Sequence, residues 1–167
     1  MRRCVFLDRD GVINVAPEPR KYIRTWVEFR LIPSIVDWIR LFNTLDLLVI
    51  VVTNQRGVAL DLIDPEELVR IHEKMKQKLL ERGARIDDIF CCVHQEGTCN
   101  CRKPRPGMVL EAARKWNINL SQSMLIGDSA RDEELALACG MPFISVADGT
   151  VTAVRSARGE ATRWLRE

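Results

Sequence analysis

The sequence predicts an α/β fold, one three-layer domain built round a mainly parallel central sheet. Two observations carry this: short apolar runs rich in β-branched residues recur along the chain, and amphipathic helical patterns fill the intervals. The runs are apolar throughout rather than alternating, which suits strands covered by helices on both faces. A third observation is the placing of polar residues. Asp8 and Asp10, Thr53 and Asn54, His94, and Asp128 each lie just beyond or at the end of a run, and in Rossmann-like sheets ligands bind outside the carboxyl ends of the strands. At 167 residues the chain suffices for one domain with a real core and is short for two, so a single domain over 1–167 is expected.

In chain order, residues 4–7 (CVFL) read as a short buried strand, and 34–43 as a helix. The run 47–52 (LLVIVV) gives a second strand. The clearest helix is 64–82. Asp64 can cap it, Pro65 suits its first position, Glu67 can close a capping box, and Leu68, Ile71, Met75 and Leu79 share one stripe before Gly83 ends it. A third strand over 86–93, a helix over 106–116 ahead of Asn117 and a fourth strand over 124–126 follow. A helix over 130–139 ahead of Gly140, a fifth strand over 143–146 and a packing helix in the last dozen residues complete the pattern.

Composition excludes several classes of function. The formal charge is +2 with Lys and Arg scattered among Asp and Glu, so nothing calls for nucleic acid. Trp26, Trp38, Trp116 and Trp164 have no basic interleaving that would suggest base stacking, and packing explains them. No window reaches the roughly 18–20 apolar residues of a membrane span, and MRRCVFLDRDGV is no signal peptide. A cytoplasmic monomer without nucleic-acid or membrane partner is therefore expected. Thiols stay reduced there, so the six cysteines are metal ligands or small buried hydrophobes, Cys4 and Cys139 being of the second kind. His72, beside the apolar stripe of its helix, reads as an edge-of-core or surface residue with no assigned role.

The chemistry begins at Asp8-Arg9-Asp10-Gly11, where two carboxylates leave a buried strand together. Such a pair is costly unless a hard cation lies between its members, and Mg²⁺ suits one or two carboxylates plus phosphate oxygens and water. Asp128, from another strand end, could add an oxygen. One carboxylate could then attack phosphorus while the second protonates the leaving oxygen and later activates water. Thr53 and Asn54 offer a hydroxyl, an amide and turn N–H groups to phosphate oxygens, and Lys103 a point charge. Singly, each of these is more often an ordinary turn or a solvated lysine. Their order and their common place at strand ends give them weight together.

A second cluster lies at CCVHQEGTCNC, residues 91–101. Thiolate and imidazole ligands favour zinc, and four of them make a closed structural site. Cys92, His94, Cys99 and Cys101 supply the set, since residues two apart in an extended segment share a face. Gly97 would allow the turn back. Cys91 competes with Cys92, projecting to the opposite face of the strand toward the core. Buried strand cysteines with free surface thiols at Cys99 and Cys101 are the bland alternative, disfavoured because exposed paired thiols oxidise readily.

The pieces VFLDRDGVIN, VIVVTNQRGVA, CRKPRPGM and MLIGDSARDEE resemble the haloacid dehalogenase superfamily, matching its hhhhDxDG, hhhhT/S-N, distant Lys and hhGDxxxD pattern. Within it, DRDGVIN, TNQ and C-x-C-R-K-P are similar to the heptose bisphosphate phosphatase and histidinol phosphatase group, from about residue 4 to 146. The resemblance implies a Mg²⁺-dependent phosphomonoesterase with a short zinc loop over 92–101 and no large cap domain. It implies Asp8 as nucleophile and Asp10 as general acid/base with its main-chain carbonyl on magnesium. Asp128 would be the remaining magnesium ligand, Thr53 and Lys103 would hold the phosphoryl group, and Asp132 would orient Lys103. Asn54 and Gln55 fall among the substrate-binding residues, and Arg102 would meet a second phosphate. DRDGVINV, Tyr22-Ile23 and RKPRPGM resemble the heptose enzymes more than the histidinol phosphatases. A small sugar phosphate, a heptose 1,7-bisphosphate losing its 7-phosphate, is thus the expected substrate. Histidinol phosphate is the alternative, and a catalytically idle binding module the reading of a different class. Two departures stand out: Ser129 follows the Gly-Asp pair where some heptose phosphatases carry Lys, with Arg131 as a nearby cation, and only four residues separate His94 from Cys99.

Overall fold

The computed structural model describes residues 1–18, 21–147 and 150–155. Strands β1 (Cys4–Leu7), β2 (Leu48–Asn54), β3 (Asp88–Cys92), β4 (Met124–Gly127), β5 (Phe143–Ala147) and β6 (Thr150–Arg155) form a sheet in the order β3-β2-β1-β4-β5-β6. Neighbours from β3 through β5 are parallel, and β6 runs antiparallel to β5. Helices α1 (Ser34–Thr44), α2 (Pro65–Leu80), α3 (Gly107–Trp116) and α4 (Ala130–Ala138) make the crossovers.

Alternate strand residues feed two cores. Val5, Leu7, Val49 and Val51 pack against Ile35, Ile39 and Phe42 of α1 and Ile71, Met75 and Leu79 of α2. Phe6, Ile50, Val52 and Leu125 pack on the other face against Met108, Val109 and Ala112 of α3 and Leu135 and Ala136 of α4. This is the three-layer arrangement that continuously apolar strands require. Ile39, Ile71, Met75 and Leu79 are each fully buried, a gain of about 1.5–3 kcal/mol per side chain.

The helix ends follow their local signals. The Asp64 carboxylate accepts the Glu66 N–H at 2.7 Å, with Pro65 in the first position. Glu67 accepts the Trp26 main-chain N–H at 3.4 Å, tying α2 to the one-turn helix Trp26–Glu28. Asn117 closes α3 in the left-handed region.

Two features differ from expectation. β2 runs on through Thr53 and Asn54, because both pair with β3 at Cys91 and Cys92. β6 was not anticipated, although its β-branched Thr150, Val151, Thr152 and Val154 carry the signal of a strand. The packing helix expected in the last dozen residues lies outside the described residues. No helix among those described is long and apolar enough to cross a membrane.

Candidate active site

Asp8 leaves the carboxyl end of β1, its N–H bonded to the Ile126 carbonyl of β4 at 3.0 Å. The chain then turns sharply, the Arg9 carbonyl accepting the Ile13 and Asn14 N–H groups at 2.8 and 3.1 Å. Gly11 makes the turn with φ +86° and passes against Asp128, whose Oδ2 lies 1.9 Å from where a Cβ would stand. Only glycine fits that combination. A tight turn after a central strand thus brings Asp8, Asp10 and Asp128 to one place.

Lys103 is 3% exposed, and its Nζ lies 2.8 Å from Asp8 Oδ1 and 2.6 Å from Asp132 Oδ1. Asp132, in the first turn of α4, uses its other oxygen to accept the Ser129 N–H at 3.2 Å and hydroxyl at 2.5 Å. Burial, then Asp132, then Asp10 push the Asp8 carboxyl up to about 8 against the pull of Lys103. Burial and Asp132 raise Asp128 to about 6. Lys103 itself is raised, because Asp8 and Asp132 outweigh the cost of its burial. Three carboxylates here offer oxygens within 4.8 Å of one another, facing one ammonium. Both oxygens of Asp132 are engaged, so Asp8 and Asp128 carry the negative charge left over. That donor set fits a hard divalent cation, which would hold both carboxylates ionised.

Thr53 accepts the Gln55 side-chain amide at 2.9 Å, which leaves its hydroxyl hydrogen to donate. Asn54 lines the cavity, but both polar atoms of its side chain meet the main chain of Lys103: Oδ1 accepts the N–H at 3.0 Å and Nδ2 donates to the carbonyl at 3.2 Å. Gln55, 2% exposed, stands behind the cavity wall, its amide also donating to Asp10 Oδ2 at 2.9 Å. Residues that sequence reasoning groups as substrate contacts thus brace the groups beside them.

The second cluster also assembles. Cys92 Sγ lies 3.6 Å from His94 Nδ1, 3.5 Å from Cys99 Sγ and 3.1 Å from Cys101 Sγ, and His94 Nδ1 lies 3.2 Å from Cys101 Sγ. A tetrahedron of Zn–S bonds near 2.3 Å has edges of about 3.8 Å, so these four atoms need move little to hold the ion. Cys91 is not in the group. Gly107 packs against the Asn100 carbonyl, 2.4 Å from where a Cβ would be, which joins this loop to the start of α3.

A cavity of about 330 Å³ opens above the strand ends, with Asp8, Asp10, Asp128, Thr53 and Lys103 among its lining residues. Lys21, Arg56, Arg102 and Arg131 also line it. Arg102 has a buried Nη1 without a hydrogen-bond partner in the structure. Sequence reasoning overlooked Lys21 and Arg56, the latter 3.7 Å from Glu96, since nothing local separates a rim cation from a solvated one. It also overlooked Arg9, wholly buried and bonded to Asp10.

A parallel sheet with a D-x-D turn on its central strand, a buried lysine and a further aspartate at the next strand end is the layout of the haloacid dehalogenase-like hydrolases, and the HAD-hydrolase-like family matches residues 100–163. The D-glycero-beta-D-manno-heptose-1,7-bisphosphate 7-phosphatase of Rhodopseudomonas palustris is 42% identical over 84% of this chain and 81% of its own length. A D-glycero-alpha-D-manno-heptose-1,7-bisphosphate 7-phosphatase of Mycobacterium bovis is 37% identical over 80% and 70%. The crystal structure of the D,D-heptose 1,7-bisphosphate phosphatase of B. bronchiseptica, complexed with magnesium and phosphate, superposes with a TM-score of 0.81. It is 34% identical, covering 88% of this chain and 83% of that one. The chain belongs to the heptose-1,7-bisphosphate 7-phosphatase family of haloacid dehalogenase-like phosphatases.

Proposed function

We propose that this protein is a Mg²⁺-dependent phosphomonoesterase that removes the 7-phosphate of a D-glycero-D-manno-heptose 1,7-bisphosphate through an aspartyl-phosphate on Asp8. The observation that carries this is the buried Lys103 ammonium between Asp8 and Asp132, at the floor of a cavity rimmed by four further cations. Bound between Asp8, the Asp10 main-chain carbonyl and Asp128, Mg²⁺ would neutralise charge on the phosphoryl oxygens.

Asp8 Oδ1 takes Lys103 and the Arg9 N–H, so Oδ2 attacks phosphorus. The bond to the sugar oxygen breaks, and that oxygen takes the proton of Asp10. Asp10, now ionised, accepts a proton from the water that attacks the aspartyl-phosphate, and phosphate leaves with Asp8 restored. Burial opposes ionisation of Asp10, but Arg9, Asn14 and Gln55 outweigh it and hold the carboxyl below its usual range. The incoming phosphate dianion works the other way and favours the protonated form. Thr53 and Lys103 donate to the phosphoryl oxygens.

The rim supports a bisphosphate. Arg102, with its unpartnered nitrogen, and Lys21, Arg56 and Arg131 suit a second phosphate on the far end of a sugar. Histidinol phosphate carries an ammonium group that these cations would repel. Zn²⁺ at Cys92, His94, Cys99 and Cys101 would fix the loop that ends in Arg102 and Lys103. Thiolate ligands persist in a reducing compartment, which supports a cytoplasmic enzyme. The test compares kcat/KM for both anomers of heptose 1,7-bisphosphate, histidinol phosphate and fructose 1,6-bisphosphate, with Asp8→Asn as control. A heptose preference lost in Asp8→Asn is expected; a histidinol phosphate preference, or turnover by Asp8→Asn, overturns the reading.

A further inference from the structure

Arg9 sits between the two motif aspartates, yet it does not line the cavity and its side chain is wholly buried. A buried guanidinium is tolerated only where its donors are met. Nε lies 3.1 Å from Asp10 Oδ1, and Nη2 lies 2.9 and 3.1 Å from Asp10 Oδ1 and Oδ2. Nη1 turns the opposite way and meets His72 Nε2 at 3.1 Å, a contact spanning 63 residues. Arginine only donates, so Nε2 accepts and the ring proton resides on Nδ1. His72 lies on α2 next to Ile71, which is fully buried in the core. Asn14 Nδ2 and Gln55 Nε2, each at 2.9 Å, occupy further positions on the same Asp10 carboxylate.

These contacts form a rigid line from the core to the cavity: α2 holds His72, His72 holds the plane of the guanidinium, and the guanidinium grips the carboxylate edge-on. We infer that His72 is a positioning residue for the acid/base group, fixing Arg9 and through it the orientation in which the Asp10 carboxyl faces the cavity. This rests on the reading of Asp10 as general acid/base. His72 itself does not line the cavity. A donor direction set by two linked side chains is worth most where the proton must move in the transition state, and little where the leaving group departs without one.

That distinction gives the test. kcat/KM covers the steps up to departure of the leaving group, so water attack on the intermediate does not enter it. His72→Leu removes the acceptor and is expected to lower kcat/KM for heptose 1,7-bisphosphate, an alkyl phosphate, by about tenfold. On p-nitrophenyl phosphate, whose phenolate needs no proton, the loss is expected to stay within about twofold. His72→Gln, which supplies an acceptor oxygen, restores the alkyl rate to within about threefold of the unaltered enzyme. If His72→Leu does not fold, Arg9→Lys carries the same comparison, keeping the buried charge without the fork. Equal loss on both substrates, no loss on either, or no rescue by His72→Gln overturns the inference. Should the unaltered enzyme hydrolyse p-nitrophenyl phosphate but not the heptose bisphosphate, the substrate reading fails alone, and glycerol 2-phosphate serves as the alkyl partner. An unaltered enzyme that hydrolyses no phosphate ester overturns both.

Discussion

Replacing Gly11 with alanine bears on the magnesium site by a route visible in the turn. The new Cβ would lie 1.9 Å from Asp128 Oδ2, 2.4 Å from Cγ and 3.0 Å from Cβ, whereas ordinary contact begins at 3.4 Å. The Asp128 carboxylate must therefore retreat by about 1.5 Å, and Mg²⁺ holds its oxygens at roughly 2.0–2.1 Å with little tolerance. A retreat on that scale removes the ligand. Asp128, although its carboxyl is partly desolvated by the groups around it, keeps an open side to solvent and can move away, so the fold bears chiefly the left-handed strain of an alanine at φ +86°, about 1–2 kcal/mol. For a chain of this length, about 1 kcal/mol corresponds to a Tm lower by roughly 2–4 °C. The expected signature of Gly11→Ala is a half-saturating Mg²⁺ concentration raised at least about tenfold with only this modest loss in Tm. It is read from Mg²⁺ titrations of phosphatase activity beside thermal melts. An unchanged Mg²⁺ requirement would refute the placing of Asp128 on the metal.

Three further outcomes are expected. His72 is pushed down from 6.5 to about 3 by burial and then by Arg9, so the unfolded chain protonates it first and its share of stability is lost as pH falls below about 6.5. The unaltered protein should thus lose about 2 kcal/mol more than His72→Gln between pH 7 and pH 5 in urea titrations, and parallel profiles would sink the assignment. Asn54→Leu removes both bonds to the Lys103 main chain and should cost about 1–3 kcal/mol of stability while raising KM; an unchanged KM counts against the brace. Stripping zinc with a chelator should lower Tm and activity together, because Cys101 adjoins Arg102 and Lys103, and a folded zinc-free protein with unaltered kinetics would contradict that link.

The central strands and the ends of α2 and α3 were legible because burial and capping are written into adjacent residues: LVIVV has no polar position to expose, and Asp64-Pro65 stops and starts the chain by itself. Asp8, Thr53, Lys103 and Asp128 were legible through motif wording. Partners far apart in sequence were not. His72 meets Arg9 across 63 residues and Asn54 meets Lys103 across 49, so no window contains both members. An Arg in a D-x-D turn looks the same whether it points to solvent or into the core. The Asn54 and Gln55 amides illustrate the same gap, for their types suggest contact with a ligand while their directions depend on strand register.

The strand order also sets when the site can exist during synthesis. β1 is made first yet lies in the middle of the sheet, flanked by β2 and β4. Asp8, the proposed nucleophile, follows it directly, while the lysine that pairs with Asp8 and the aspartate that holds that lysine are residues 103 and 132. A chain emerging from the ribosome therefore carries Asp8 without its cation until residue 103 has been made, and without Asp128 and Asp132 until β4 and the first turn of α4 have followed. Phosphate-ester chemistry should accordingly switch on late in translation, and a nascent chain halted before β4 would be inert whatever substrate surrounded it.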